Sequence, residues 1–172
     1  NNLNYSSNNI YSKNGYVHNY GIFFKNLNSV GKNDQKYKSS VQSEILNIYE
    51  INTKFPLIKE MNKNINYLTP KLSFRINPSD MKNHSTSGGL ITTDNAFSIN
   101  RLGLSDSFES GKSLTLGLDY RKENKDDIDQ YLEVKFATIL RDTPEYKIPR
   151  INSAQGKMSN LFGSVENQLS KN

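Results

Sequence analysis

Apolar and polar residues alternate with a period of two along much of the chain, which is the pattern of a β-strand with one apolar and one polar face. The clearest alternation covers residues 16–24, 49–57, 68–77, 113–121 and 131–141. It is weaker over residues 96–102 and 161–169. No stretch shows the periodicity of an amphipathic helix. The sequence therefore predicts an all-β, antiparallel fold of about six or seven strands, separated by polar, turn-forming stretches.

Three of the predicted strands divide their side chains into two faces of opposite character. The polar face carries Lys71, Ser73, Arg75, Thr115, Asp119, Arg121, Glu133 and Lys135. The apolar face carries Leu72, Phe74, Leu114, Leu116, Leu118, Tyr120, Leu132, Val134 and Phe136. Strands of this kind need a different environment on each side of their sheet.

The hairpin formed by the last two clearly alternating strands has a register that follows from charge. One antiparallel register places Arg121 opposite Glu133 and Asp119 opposite Lys135, so that unlike charges meet. A shift of two residues would place Asp119 opposite Glu133, and like charges that face each other destabilise a strand pair. We therefore predict the first register.

Two architectures suit such strands. In a soluble sandwich, two sheets pack their apolar faces together. In a transmembrane barrel, the apolar face is lipid-facing and the polar face is lumen-facing. The predicted strands exceed the common globular length of about five or six residues and match the length of about nine to eleven that crosses a bilayer. Charged residues in mid-strand, such as Lys71 and Arg75, suit a hydrated lumen, so the barrel is the preferred interpretation and the sandwich the alternative.

The predicted number of strands has a consequence for the barrel interpretation. A membrane barrel needs at least about eight strands, because an open edge leaves backbone groups unpaired in hydrocarbon. The chain is therefore expected to be an interior, open segment of a large transmembrane β-barrel, one that does not fold alone in water. Residues 1–13 are of low complexity and are expected to be disordered, which leaves 14–172 as the barrel segment.

Composition narrows the functional classes. The chain has 172 residues, a net charge of +5 and 34% hydrophobic residues, as expected when half of every strand is polar. It has no Cys, which excludes disulfides, thiolate metal sites and a cysteine nucleophile. The basic residues are scattered, so nucleic acid is not an expected partner. No apolar run is long enough for a membrane-spanning helix.

No catalytic or cofactor-binding constellation emerges from the residues. The segment 111–113 resembles the end of a phosphate-binding loop, but Asp106 occupies the position where that loop begins with Gly. His18 and His84 have no partner at ligand or catalytic spacing, and His18 is expected among the aromatic residues of its strand. The acidic run 126–129 lacks the spacing of a calcium loop. We predict a protein that is not an enzyme and has no bound cofactor or metal.

An ordered set of residues resembles a known family. Residues 94–120 read DNAFSINRLGLSDSFESGKSLTLGLDY, preceded by YLTPKLSFRIN at 67–77 and followed by IPRINSAQGKMSNLFGS at 148–164. Their order and spacing resemble the barrel of the LptD family, the LPS-assembly proteins of Gram-negative outer membranes. The residues that carry the resemblance are Asn100, Arg101, Gly103, Asp106, Glu109, Gly111 and Gly117.

The resemblance implies a function. Proteins of this family receive lipopolysaccharide (LPS) from periplasmic bridge proteins and insert it into the outer leaflet of the outer membrane, while an LptE-like lipoprotein plugs the lumen. By resemblance, the chain is part of such an LPS translocon, with LPS, the plug lipoprotein and the bridge proteins as partners. Cations such as Arg75 and Arg121 would then either attract LPS phosphates, contact the plug, or pair with carboxylates on neighbouring strands.

Two alternatives remain open at the level of sequence. One is a soluble extracellular β-sandwich that acts as a binding module. The other is a segment of a different outer-membrane barrel, such as a porin or a receptor. The exposure of Leu116 and Leu118 separates a barrel from a sandwich, because a sandwich buries these side chains between two sheets.

Overall fold

A computed structural model describes residues 2–33 and 39–169. These residues form one nine-stranded sheet in which all neighbours are antiparallel. The strands are β1 (Asn2–Ser6), β2 (Ile10–Tyr11), β3 (Val17–Ser29), β4 (Gln42–Lys54), β5 (Leu57–Glu60), β6 (Asn64–Asn77), β7 (Gly111–Asn124), β8 (Tyr131–Arg141) and β9 (Phe162–Gln168). Over the described ranges the only helical element is a 3₁₀ turn at Arg150–Asn152. The all-β, antiparallel prediction is confirmed.

The strands lie in the order β1-β3-β4-β6-β7-β8-β9, with β2 beside β3 and β5 beside β6. β4 and β5 keep the same register against β6 on both sides of Pro56. Phe55 donates to the backbone oxygen of Pro70 at 3.0 Å, but Pro70 has no N–H to return the bond. β4 and β5 are therefore one long strand whose ladder with β6 lacks one hydrogen bond at Pro70.

The predicted register of β7 against β8 is confirmed. Arg121 lies opposite Glu133, and Asp119 lies opposite Lys135. This register keeps polar side chains on one side of the two strands and apolar side chains on the other, because side-chain direction alternates with a period of two.

The two faces of the sheet have different surroundings. All predicted polar-face residues, from Lys71 to Lys135, lie on one side of β6, β7 and β8, and all predicted apolar-face residues lie on the other. Two long connections, residues 78–110 and 142–161, fold onto the polar face, and we call them together the cap. The sheet is a single layer, since no second sheet packs on its apolar face within the part of the chain that the structure describes.

Two apolar clusters hold the cap against the polar face. One lies over β8 and consists of Met81, Ile91, Ala96, Leu102, Leu104, Ala137, Ile139, Ile148 and Ala154. The other lies over β3 and β4, where Phe108 of the cap packs with Leu46 and Ile48. The ring centroids of Phe23 and Phe108 are 4.9 Å apart there. The hydrophobic core of the chain is thus on the face whose strand residues are mostly polar.

The connections at the two ends of the sheet differ in length. One end carries the connection between β3 and β4 and the long connections 78–110 and 142–161, whereas the opposite end carries the short connections 12–16, 61–63 and 125–130. The polar face is covered near the long connections and open near the short ones. None of the described residues forms a helix long and apolar enough to cross a membrane.

Two predictions differ from the structure. Residues 96–102 alternate like a strand but belong to the cap, where Ala96 and Leu102 are buried over β8. Phe97 and Ile99 of the same segment also pack against the apolar clusters, so turns bury side chains from both sides of the predicted strand. Residues 1–13, which we expected to be disordered, contain β1 and β2. A ladder uses backbone groups, so a low-complexity segment extends a sheet whose edge is free.

The remaining weak prediction is confirmed, because residues 161–169 contain β9. Asn1 of the N-terminal segment, and residues 34–38 and 170–172 of the predicted barrel segment, lie outside the described residues.

Candidate functional site

Beneath the cap, three arginines converge on one carboxylate. Arg75 comes from β6, Arg141 from the end of β8, and Arg101 and Glu109 from the cap. Arg101 Nε donates to Glu109 Oε2 at 2.6 Å, and the Nη groups of Arg101 and Arg141 donate to Oε1. Arg75 Nη2 forms an ion pair with Oε2 at 2.6 Å. We call these four residues the arginine cluster, and none of its side chains is more than 5% exposed.

Hydroxyl and amide groups complete the surroundings of the arginine cluster. Arg101 donates to the hydroxyl of Thr115 at 2.8 Å and to that of Ser113 at 3.2 Å. Arg75 Nη1 donates to the backbone oxygen of Ile99 at 2.9 Å. Asn77 donates to the backbone oxygen of Glu109 at 3.0 Å. The cluster therefore joins β6, β7 and β8 to the cap.

The charge of Glu109 is set by two opposing effects. Burial alone would raise the pKa of Glu109, because it disfavours the ionised carboxylate. The guanidinium groups of Arg101, Arg75 and Arg141 outweigh burial and hold the pKa of Glu109 well below its usual range. Both of its oxygens face guanidinium groups. The cluster is thus suited to holding the cap in place rather than to transferring a proton.

Five residues of the LptD-like motif shape the cap. The Asn100 side chain accepts from the N–H of Leu104 at 3.2 Å and donates to its carbonyl oxygen at 2.9 Å. Gly103 lies within that turn with a φ of 64°, in the left-handed region. Asp106 Oδ1 lies 3.1 Å from His84 Nε2. Arg101 and Glu109, the motif's charged pair, form the centre of the arginine cluster, and Gly111 begins β7.

Gly117, the last motif residue, lies beneath a ring of the cap. A Cβ at this position would be 2.5 Å from Cζ of Phe97, so only glycine allows the ring to approach the strand this closely. Lys71 Nζ lies 4.6 Å from the centroid of the same ring. Phe97 therefore marks the rim of the cap, between buried residues such as Thr115 and the open half of the polar face.

The open half of the polar face carries paired charges. Lys71 Nζ lies 2.6 Å from Asp119, and Lys135 Nζ lies 2.7 Å from Glu133. Arg121 pairs with Glu123 at 3.0 Å. Asp119 lies opposite Lys135 in the ladder but forms its ion pair with Lys71 on the other neighbouring strand. The structure thus pairs these cations with carboxylates, one of the roles that the sequence left open for them.

The apolar face is uncovered at the centre of the sheet. The exposed fractions are 37% for Leu72, 38% for Phe74, 37% for Leu116, 37% for Leu118 and 41% for Phe136. Leu114, Tyr120, Leu132 and Val134 on the same face are half-buried by their neighbours. On β7, the apolar run is bounded by Lys112 and Lys122, which are about 33 Å apart along the strand.

Sequence reasoning missed three residues that hold the cap. His84, which we set aside because it has no partner nearby in sequence, is 5% exposed and contacts Asp106. The sequence pattern indicated Arg141 only as the last polar residue of an alternating strand. Asn152 accepts from the N–H of Ile91 at 2.6 Å and donates to the backbone oxygen of Gly89 at 2.9 Å, which ties the two cap segments together. Their partners are distant in the chain, so spacing gave no signal.

Within residues 2–33 and 39–169, no group of three or more His, Asp or Glu side chains is arranged to hold a metal ion. The ring of His18 stacks on that of Tyr16, with centroids 6.1 Å apart. No family model, no curated protein and no solved structure matches the chain. Its function is therefore inferred from its geometry and from the sequence resemblance.

Proposed function

We propose that this chain forms part of the β-sheet wall of an outer-membrane LPS translocon of the LptD type. The observation that carries the proposal is a single-layer sheet whose apolar face is bare and whose polar face bears the cap. Sheets of water-soluble proteins bury their apolar face against another layer. Lipid is the environment that suits an uncovered apolar face joined to a polar one.

The dimensions of the strands support a position in a membrane. The strands β3, β4, β6 and β7 have 13 or 14 residues, which exceeds the length of about nine to eleven that crosses a bilayer. At the strand tilt of about 40° that membrane barrels have, the apolar band between Lys112 and Lys122 would be about 25 Å high, which is the height of their lipid-facing band. Short turns at one end and long connections at the other are also typical of such barrels.

The alternatives fit less well. A soluble sandwich needs a second sheet over Leu116 and Leu118, and these side chains lie among the exposed residues of a single layer. A porin or receptor segment would share the wall but not the motif. Here five of the seven residues that carry the resemblance to LptD lie in the cap, with Arg101 and Glu109 at its centre. This supports an LPS translocon over other barrels.

The physical requirements of LPS transport suit such a wall. Sugars and phosphates need a hydrated path, whereas acyl chains need an apolar one, since exposing them to water costs about 0.8 kcal/mol per CH₂. The open polar half would supply a hydrated wall with balanced charge, and the cap would close the end that carries the long connections. LPS would come from periplasmic bridge proteins, and an LptE-like lipoprotein would fill the lumen. This role requires no catalytic group.

Cysteine scanning tests the membrane part of the proposal, because the chain has no Cys of its own. Leu116→Cys and Leu118→Cys probe the apolar face, and Lys71→Cys and Asp119→Cys probe the polar face. In isolated membranes, a charged maleimide should label the polar-face positions and should reach the apolar-face positions only after detergent extraction. Equal labelling of Leu116→Cys and Asp119→Cys in intact membranes would rule out a lipid-facing apolar side.

Depletion of the protein in the cells that produce it tests the LPS part. We expect newly made LPS to disappear from the cell surface and to accumulate on the periplasmic side. Depletion of an abundant porin in the same cells is the control and should leave surface LPS unchanged. Normal surface LPS together with slower uptake of small solutes would favour the porin alternative instead.

A further inference from the structure

A cleft lies on the polar face at the rim of the cap, where β3, β4 and β6 are neighbours. Its side-chain lining consists of Val17, Asn19, Asn52, Lys54, Lys71 and Phe97. Val17 is buried, and the ring of Phe97 belongs to the cap. The cleft therefore combines apolar surface with amide and ammonium groups.

Two lysines face each other in this cleft. Lys54 and Lys71 are directly opposed in the ladder between β4 and β6, on the polar face. Like charges in this position destabilise a strand pair. Asp119 neutralises Lys71, but Lys54 forms no ion pair with any residue that the structure describes. One ammonium group is therefore left to attract an anion.

An unused acceptor lies beside the two lysines. The side-chain N–H₂ of Asn52 donates to Asn19 Oδ1 at 3.0 Å and to Glu50 Oε1 at 2.6 Å, which fixes the orientation of the amide. Its Oδ1 is buried and accepts no hydrogen bond from the described residues. A buried acceptor without a donor is unfavourable. A ligand that supplies a hydroxyl group would satisfy it.

We propose that this cleft binds a phosphate monoester that carries a neighbouring hydroxyl group, the chemistry shared by sugar phosphates and glycerol phosphate headgroups. The phosphate lies between the ammonium groups of Lys54 and Lys71, which bind it as point charges. The hydroxyl group donates to Asn52 Oδ1, and Phe97 contacts the CH groups. The inference does not depend on the proposed function, because it rests on the residues of the cleft alone.

Isothermal titration of the detergent-purified protein tests the site. The probes are glucose 6-phosphate, glycerol 3-phosphate, glucose and inorganic phosphate. We expect at least one ester to bind, and glucose and inorganic phosphate to bind about tenfold more weakly, because each lacks one of the two contacts. Tighter binding of the glucose ester identifies a sugar phosphate as the ligand, and tighter binding of the glycerol ester identifies a lipid headgroup.

Matched variants assign the contacts. Lys54→Met keeps the length of the side chain and should weaken binding of the ester about tenfold, whereas Lys54→Arg should keep it. Lys122→Met, on the apolar face of β7, should change nothing. Asn52→Leu should reduce ester binding to the level of inorganic phosphate. Absence of ester binding, or equal affinities of Lys54→Met and the unmodified protein, overturns the site. Phosphate that binds as tightly as the esters overturns the hydroxyl contact.

Discussion

The ring of Phe97 lies over Gly117 so closely that a Cβ at position 117 would be 2.5 Å from Cζ and 2.7 Å from Cε2 of the ring. This contact joins the rim of the cap to the middle of β7. It is the point where the polar face changes from buried to open.

Gly117→Ala should therefore lift Phe97 from the strand. We expect a loss of about 1–3 kcal/mol in the free energy of unfolding, as for other overpacked sites. Gly163→Ala on β9 is the control, because its Cβ would meet the ring of Phe136 at an ordinary 3.5 Å. Urea unfolding in detergent measures both variants. If Gly117→Ala and Gly163→Ala lower the free energy of unfolding equally, the close approach of Phe97 to Gly117 does not contribute to stability.

Glu109→Gln should destabilise the cap strongly. The substitution keeps the shape of the side chain but leaves three buried guanidinium groups without a counter-charge, which costs about 3–5 kcal/mol for a broken buried pair. Glu133→Gln, on the open half of the same face with a side chain that is 19% exposed, should cost at most about 1 kcal/mol. Hydrogen exchange of the cap amides should rise in Glu109→Gln alone. Equal exchange in both variants would contradict the role of the arginine cluster in holding the cap.

Acid should weaken the protein through the same carboxylate. A Glu in the unfolded chain titrates near pH 4.3, and the pKa of Glu109 in the folded chain is lower. The stabilisation from the ionised group is therefore complete above the unfolded pKa and is lost as the pH falls below it.

Below about pH 4, this single group should lower the free energy of unfolding by about 1.4 kcal/mol per pH unit, and Glu109→Gln should lack that component. Urea titrations at pH 5, 4 and 3 compare the two proteins. Other carboxylates contribute equally to both, so the difference in slope belongs to Glu109. Parallel pH profiles would show that the carboxylate is not paired in the folded state.

A charge on the apolar face tests its environment. Leu116→Arg should cost about 2–4 kcal/mol if this side chain lies near the middle of a bilayer. Leu90→Arg, in the cap and 51% exposed, should be tolerated. The amount of each variant in the membrane fraction and its resistance to heat in detergent provide the measurements. Equal levels of both variants would place Leu116 in water.

Side-chain alternation was sufficient to predict the hairpin of β7 and β8. The pattern located both strands, and the charges of Asp119 and Lys135 selected the register that the structure shows. The ion pairs were less predictable, since Asp119 contacts Lys71 rather than Lys135. The register of a strand pair depends on the alternation of polar and apolar residues along both strands. The ion-pair partner of a long side chain depends on every charged group within its reach, including those on other strands.

The cap could not be predicted in the same way. Its contacts join residues far apart in the chain, such as Asn152 with Ile91 and Arg141 with Glu109. Its backbone is irregular, so its buried side chains follow no period. The sequence showed Arg101 and Glu109 as members of a motif, but nothing in their spacing indicated that they would be almost fully buried together.

Pro56 lies where β5 continues beyond the first residue of β3, so that one side of β5 has no neighbouring strand among the described residues. Successive N–H groups of a strand point to opposite sides, and Phe55 donates towards β6, so an N–H at position 56 would point to the free side. Proline removes that donor. A strand from another molecule that approached this free edge would therefore lack a hydrogen-bond donor at position 56. The missing donor disfavours mispairing and aggregation during assembly.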